Sequence, residues 1–112
     1  MAKISKHGPD PAKVASNVYK KLFENSKVRV FDVRFKPGDK AVMHWHPNHL
    51  AYILEGGTLE LSPPKGEAIK MPAKAGDVAW IDAGHHEAIN RGSSEIRAVI
   101  VEFKGSTKKL RK

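Results

Sequence analysis

Short runs of β-forming residues, each ended by a turn-forming sequence, recur along most of this 112-residue chain. The first, residues 27–35, interleaves β-branched and aromatic residues with charged ones and is followed by Lys-Pro-Gly-Asp, which is typical of a turn. Runs this short and evenly spaced leave no room for the helical crossovers of a parallel sheet. The predicted strands are residues 27–35, 41–46, 50–54, 58–62, 67–71, 78–81, 86–90 and 96–103. Eight such strands predict an all-β fold, a small antiparallel barrel or sandwich.

The residues before the first of these strands carry an ambiguous pattern. Val14, Val18 and Leu22 suit the apolar stripe of a helix, whereas the second half of the stretch 11–24 suits an extra edge strand. We favour the strand for that second half. The expected division of the chain is an N-terminal segment that supplies an edge or swapped strand, residues 1–26, a barrel, residues 27–104, and a basic flexible tail, residues 105–112.

Composition and charge exclude several classes of protein. The chain has no cysteine, which excludes disulfides and zinc-thiolate sites. It has neither an apolar run of membrane-spanning length nor a leader pattern, so we expect a cytoplasmic protein. The formal net charge is +8, but five lysines and arginines crowd the last nine residues. Nucleic-acid binding needs a basic face interleaved with exposed aromatic residues, so we do not expect it.

Five of the six histidines fall in two short clusters, with His44, His46 and His49 in one and His85 and His86 in the other. Side chains alternate along a strand, so His44 and His46 point the same way and can offer two imidazole nitrogens to one ion. Imidazole is the commonest protein ligand for divalent metals of the middle transition series. The clusters therefore predict a metal site, and His85 is expected at the rim or surface, opposite to His86.

The segments around these histidines resemble the two motifs of the cupin superfamily. Residues 38–46 reproduce the start of the first motif, which is a glycine, five residues and His-X-His. The place of that motif's glutamate falls on His49. Residues 76–90 follow the second motif with Asp82 in the place of its proline, one residue fewer before His86, and Asn90 at the expected distance after it. The resemblance covers roughly residues 28–103.

This resemblance implies a jelly-roll barrel, or double-stranded β-helix, with a metal inside one open end. The implied ligands are His44, His46, His49 and His86. Four neutral imidazoles leave the charge of the ion uncompensated by its protein ligands, so an anionic small molecule is expected at the open positions. Small four-histidine cupins are similar to manganese-binding bacterial proteins with oxygen-dependent chemistry. Nitrogen ligands nevertheless suit manganese, iron, nickel, copper and zinc alike.

Strand alternation also predicts which residues lie beside the histidines. Side chains two positions apart share a face, so the inward residues follow from the inward histidines. Asn90 would be a hydrogen-bonding group of the cavity, with a strand-end turn as its alternative. Trp80 would lie in the core, and no inward aspartate, tyrosine or lysine can be named as a general base. The expected cavity residues are Val42, Ala51, Ile53, Ala88 and Asn90.

Two classes of function remain. The first is a metalloenzyme, dioxygenase-like or Lewis-acid in its chemistry, that acts on a small organic acid or dicarbonyl. The second is a non-catalytic module that binds a small molecule or a metal in a catabolic or regulatory pathway. The four-histidine set favours the enzyme and the lack of an acid-base residue favours the module, and we prefer the enzyme by a small margin. A homodimer is expected, because pairing an edge strand with a second copy hides unpaired backbone groups.

Overall fold

The computed structural model describes residues 8–107. In this part of the chain, one short helix precedes nine strands. The helix is α1 (Pro11–Val14), and the strands are β1 (Tyr19–Glu24), β2 (Val28–Phe35), β3 (Lys40–His46), β4 (His49–Glu55), β5 (Gly57–Ser62), β6 (Ile69–Ala73), β7 (Val78–Ile81), β8 (Gly84–Asn90) and β9 (Ile96–Phe103).

The strands form two antiparallel sheets that face each other. One sheet has the order β1-β2-β9-β4-β7 and the other the order β3-β8-β5-β6. Strands far apart in sequence become neighbours, as in the pairing of β2 with β9, which runs without a break from Val28 opposite Phe103 to Phe35 opposite Ile96. This arrangement confirms the predicted all-β jelly roll, and long-range pairing of this kind is what closes the barrel.

The ambiguous N-terminal stretch contains both elements that its pattern allows. Its first half forms α1, which begins at Pro11 behind the capping carboxylate of Asp10. Its second half forms β1, which pairs antiparallel with β2 as an edge strand, so the preferred strand is confirmed. Of the predicted basic tail, residues 108–112 lie outside the described residues.

The core lies between the sheets, against the paired strands β2 and β9. Phe31, Val33 and Phe35 alternate with outward residues on β2, and Ile96 and Ile100 do the same on β9; all five are buried. Burying a side chain of this size contributes about 1.5–3 kcal/mol. Small residues lie inward on other strands, with Ala41 and Ala88 on the facing sheet and Ala51 on β4 of the same sheet. These alanines leave space inside the barrel.

Two expectations about individual side chains are wrong. Val42 is 45% exposed, because an irregularity lies between Ala41 and His44 in the pairing of β3 with β8. Three residue steps on β3 match two on β8 there, which breaks the alternation on which the prediction rested. Trp80 is 39% exposed rather than in the core, since Ile81 takes the inward position and Trp80 stacks on Phe103 outside the sheet.

Candidate metal centre

Three histidines of the four-stranded sheet converge inside the barrel. His44 and His46 lie on β3, and His86 lies directly opposite His44 on β8. The ring centroids are 4.7 Å apart for His44 and His46, 4.7 Å for His44 and His86, and 5.2 Å for His46 and His86. One nitrogen from each ring lies within 4.8 Å of the others. Two separate chain segments thus present three imidazoles to one point.

His49 approaches the same point from the opposite sheet. It is the first residue of β4, is 1% exposed, and its ring centroid lies 4.2 Å from that of His46. The three ring nitrogens that lie within 4.8 Å of one another belong to His44, His46 and His86, and His49 is outside this group. The structure therefore brings all four predicted rings together but groups three of them more tightly.

Hydrogen bonds select the tautomer of three of these rings. Nδ1 of His44 donates to the carbonyl of Val42 at 2.6 Å, and Nδ1 of His49 donates to the carbonyl of Pro47 at 2.9 Å. Nδ1 of His46 donates to Oε2 of Glu102 at 2.6 Å. The acceptors of His44 and His49 are backbone carbonyls, which carry no proton, and the acceptor of His46 is the ionised form of the Glu102 carboxylate. A proton held on Nδ1 leaves the lone pair of Nε2 available, which is the arrangement that metal-ligating histidines use.

The four rings are also kept neutral. Burial lowers the pKa of His49 to about 4, and burial together with the neighbouring His44 lowers the pKa of His86 to about 3. Burial likewise lowers the pKa of His44 and, most strongly, that of His46. A protonated imidazole cannot bind a metal, so this environment maintains the ligating form at neutral pH. The donor set, its tautomers and its protonation state all fit a divalent transition metal.

A buried chain of charges supports His46 from behind. Glu102 on β9 is fully buried; one carboxylate oxygen accepts from His46 and the other lies 2.9 Å from Nη2 of Arg29 on β2. The same Arg29 nitrogen also lies 2.9 Å from Asp10 at the start of α1. Burial raises the pKa of Glu102 to about 7, and the charge of Arg29 opposes that rise. The N-terminal segment is thereby linked to the histidine cluster through three charged side chains.

Sequence reasoning missed this chain of charges, although a signal for it exists. Arg29 shares the inward face of β2 with Phe31, and Glu102 shares the inward face of β9 with Ile100. The two charged residues are direct partners in the β2–β9 register. Opposite charges at inward positions of otherwise apolar strands are the pattern that marks a buried ion pair.

Tyr19 is a second feature of the site that the sequence did not reveal. It begins β1, is buried, and its hydroxyl lies 3.1 Å from Nε2 of His46 and 3.5 Å from Nε2 of His44. Burial and the nearby carboxylate of Glu102 raise the pKa of Tyr19, so the phenol keeps its proton and donates. The sequence named no inward tyrosine as a general base, and the inward Tyr19, which keeps its proton, is a hydrogen-bond donor rather than a base. No local pattern marks Tyr19, because it reaches the site only through the pairing of β1 with β2.

An apolar cavity of about 50 Å³ adjoins the histidines. Ala51, Ile53 and Ala88 line it, together with His49, His86 and Tyr19. Asn90 does not serve this cavity. Its amide donates to the carbonyls of Phe35 and Ser94, and its oxygen accepts from the backbone of Gly92. Asn90 thus has the alternative role, which is to hold the turn after β8. His85 is exposed, as expected for a residue that faces away from His86.

Fold and site together define a double-stranded β-helix with histidines gathered inside the barrel. The family model of the cupin domain matches residues 31–102, and the chain therefore belongs to the cupin family. No curated protein matches the chain in sequence. No helix among residues 8–107 is long and apolar enough to cross a membrane.

Solved structures with the same fold include three cupin-like proteins of bacteria and an archaeon. A cupin domain from Bordetella pertussis is 26% identical, with a TM-score of 0.73, and the match covers 79% of this chain and 93% of that one. An uncharacterized protein with a double-stranded β-helix domain from Klebsiella pneumoniae is 23% identical, with a TM-score of 0.64 and coverage of 81% and 79%. An RmlC-like cupin from Methanocaldococcus jannaschii is 17% identical, with a TM-score of 0.63 and coverage of 78% and 79%.

Proposed function

We propose that this cupin is a small-molecule metalloenzyme whose divalent transition metal is held by His44, His46, His49 and His86. The observation that carries the proposal is the tautomer selection at the first three of these rings. Three independent acceptors hold the Nδ1 protons, which leaves Nε2 as the donor atom of each ring inside one cluster. A buried N–H needs an acceptor in any core, but three acceptors that all leave Nε2 free within one cluster match what a metal site requires.

The chain's own residues define what the site can do. A bound divalent ion would supply Lewis-acid or oxygen-binding chemistry of the dioxygenase type toward a small organic acid or dicarbonyl. Tyr19 offers a protonated hydroxyl on the Nε2 side of His44 and His46, where it can donate to an oxygen of a bound substrate. Glu102 holds His46 in orientation, and the aliphatic cavity wall excludes water.

Metal analysis tests this proposal. Protein purified without chelator, or reconstituted in turn with manganese, iron, nickel, copper and zinc, should hold close to one ion per chain. His44→Ala and His86→Ala should each lose it, whereas His85→Ala, which removes the exposed neighbouring histidine, should retain it. His49→Ala should weaken binding and would separate a four-histidine site from a three-histidine one. Failure of the wild type to bind any of these ions after reconstitution would refute the metal site.

A non-catalytic binding module is the second candidate, and the composition of the cavity favours it. Apart from Tyr19 and two of the histidines, the lining residues are apolar. The described lining therefore offers no carboxylate or amine to move a proton of a bound molecule. Tight ligand binding by the metal-loaded protein without consumption of ligand or oxygen would select the module. Consumption that is lost in His86→Ala would select the enzyme.

We also propose a homodimer that forms through β1. This strand is an edge of the five-stranded sheet, and its Leu22 and Phe23 are 53% and 54% exposed. Pairing with a second copy would satisfy the free backbone groups of the edge and cover these side chains. Sedimentation equilibrium should give twice the mass of one chain, and Leu22→Lys should shift it toward the monomer. A single-chain mass for the wild type at micromolar concentration would refute the dimer.

A further inference from the structure

We propose that the small molecule bound here is the monoanion of a short, straight-chain aliphatic acid, with its carboxylate at the metal centre and its hydrocarbon chain in the cavity. The inference rests on the metal site proposed above and narrows the class of ligand that the site takes. Three properties of the cavity lead to it: where its polar groups lie, which charges reach it, and how large it is.

The polar groups of the cavity all belong to one end. Among the described residues that line it, only Tyr19, His49 and His86 have side chains with nitrogen or hydroxyl groups, and each of these contacts or belongs to the histidine cluster. The rest of the wall is apolar, with Leu59, Leu61, Met71 and Phe35 among its residues. A hydroxyl or amine of a ligand in that part would lose its water and gain no partner. The ligand is therefore polar only at the end that meets the histidines.

The charge balance at the histidine end of the cavity favours an anionic group on the ligand. A histidine that holds its proton on Nδ1 and binds a metal through Nε2 carries no charge, and the carboxylate of Glu102 lies 2.9 Å from the guanidinium of Arg29. Among the described residues, no side chain of the histidine cluster then carries a negative charge free to compensate a bound ion, so a carboxylate is the matching ligand. No lysine or arginine lines the described cavity. A second carboxylate at the far end would remain buried without a counter-ion, which disfavours dicarboxylates.

Size limits the length of the chain. The cavity measures about 50 Å³, and a water-sized group needs about 10–15 Å³ on the same measure. It therefore accommodates about four such groups, which matches an acid of roughly four carbons whose carboxyl carbon occupies the histidine end of the cavity. Leu61 restricts the space on the β5 side, where it stands opposite Ala88, two residues beyond His86.

Ligand titrations on the metal-loaded protein test the inference. Co²⁺ is the probe ion, since its visible absorption reports both metal binding and a change in ligands. Acetate, propionate, butyrate, hexanoate, succinate and 1-butanol are then titrated, with calorimetry as a second measurement. Affinity should rise about fourfold for each methylene from acetate to butyrate and fall at hexanoate. Succinate and 1-butanol should bind at least about tenfold more weakly than butyrate, since one adds a buried charge and the other lacks the anion.

Variants of the wall separate packing from chemistry. Leu61→Ala should extend the preferred chain toward hexanoate and leave Co²⁺ affinity unchanged, because Leu61 belongs to the apolar cavity wall and offers no ligand atom to a metal. Leu61→Phe should abolish the gain from propionate to butyrate. Leu54→Ala is the matched control, since Leu54 is exposed on β4. It should change neither the preferred chain length nor the Co²⁺ affinity.

The possible outcomes distinguish the two proposals. If the protein binds Co²⁺ but its affinity for the acids does not depend on their chain length, this inference is wrong and the metal site stands. The same holds if succinate binds as tightly as butyrate. The inference is also wrong if the Leu61→Ala protein folds and binds Co²⁺ but prefers the same chain length as the wild type. Failure to bind Co²⁺ overturns both the metal site and the ligand that depends on it.

Discussion

Burial of His49 as a neutral ring should make the metal-free protein sensitive to acid. Its pKa is about 4 in the folded protein, against 6.5 for the unperturbed side chain, chiefly because burial disfavours the charged form. Between these two pH values the unfolded chain binds a proton at His49 that the folded chain does not. Protonation then favours unfolding, so the contribution of His49 to stability is full above pH 6.5 and declines as the pH falls toward 4.

The size of the effect follows from the same two pKa values. Each pH unit in this window costs about 1.4 kcal/mol. Acidification from pH 7 to pH 5 should therefore remove about 2 kcal/mol through His49, and the full shift corresponds to about 3 kcal/mol. His86 acts in the same direction, because its pKa is about 3. Glu102 acts in the opposite direction, since burial raises its pKa to about 7 and the folded state keeps a proton that the unfolded state releases.

A difference measurement isolates His49 from these other groups. Urea unfolding of wild type and His49→Gln is compared at pH 7, 6 and 5 in the presence of chelator. The amide of Gln can still donate to the carbonyl of Pro47 but does not titrate. The free energy of unfolding of the wild type should fall by about 2 kcal/mol more than that of the variant between pH 7 and pH 5. His85→Gln, at the exposed histidine, should follow the wild type. Equal pH dependence in wild type and His49→Gln would refute the reasoning.

Three further predictions concern the buried charges and the core. Glu102→Gln should weaken metal binding about 10–100-fold in equilibrium dialysis, because an amide cannot accept from both Arg29 and His46. The surface change Glu60→Gln should leave metal binding unchanged. Equal metal affinity in the two variants would contradict this role of Glu102. Arg29→Met should lower the free energy of unfolding in urea by about 3–5 kcal/mol, since it leaves the buried Glu102 without its cationic partner. The double variant Arg29→Met with Glu102→Leu should recover much of this loss. A double variant as unstable as the sum of the two single changes would argue against a buried ion pair. Phe31→Ala should lower the free energy of unfolding by about 3–5 kcal/mol, because it opens a cavity in the core. Val42→Ala, on the exposed part of β3, should change it by no more than about 0.5 kcal/mol. Similar losses of stability in the two variants on thermal unfolding would contradict the assigned burial.

The sequence by itself determined the features that depend on neighbours along the chain. Strand positions follow from β-forming runs and their turns, and the common orientation of His44 and His46 follows from alternation along β3. Motif spacing also identified the family, because a glycine, a His-X-His and a later histidine lie at fixed distances within and between the segments 38–56 and 76–90. His49 was found by its place in that pattern, although its exact relation to the other three rings was not.

Only the tertiary structure decided the features that depend on strand pairing. Glu102 reaches His46 across 56 positions of sequence and meets Arg29 across 73, and no local period encodes either contact. Tyr19 enters the site because β1 joins the sheet beside β2. Val42 leaves the cavity because one extra residue in β3 shifts the alternation that otherwise holds along a strand. Alternation sets the face on which a side chain lies, but register between distant strands sets which side chains meet there, and register is fixed by packing of the whole barrel.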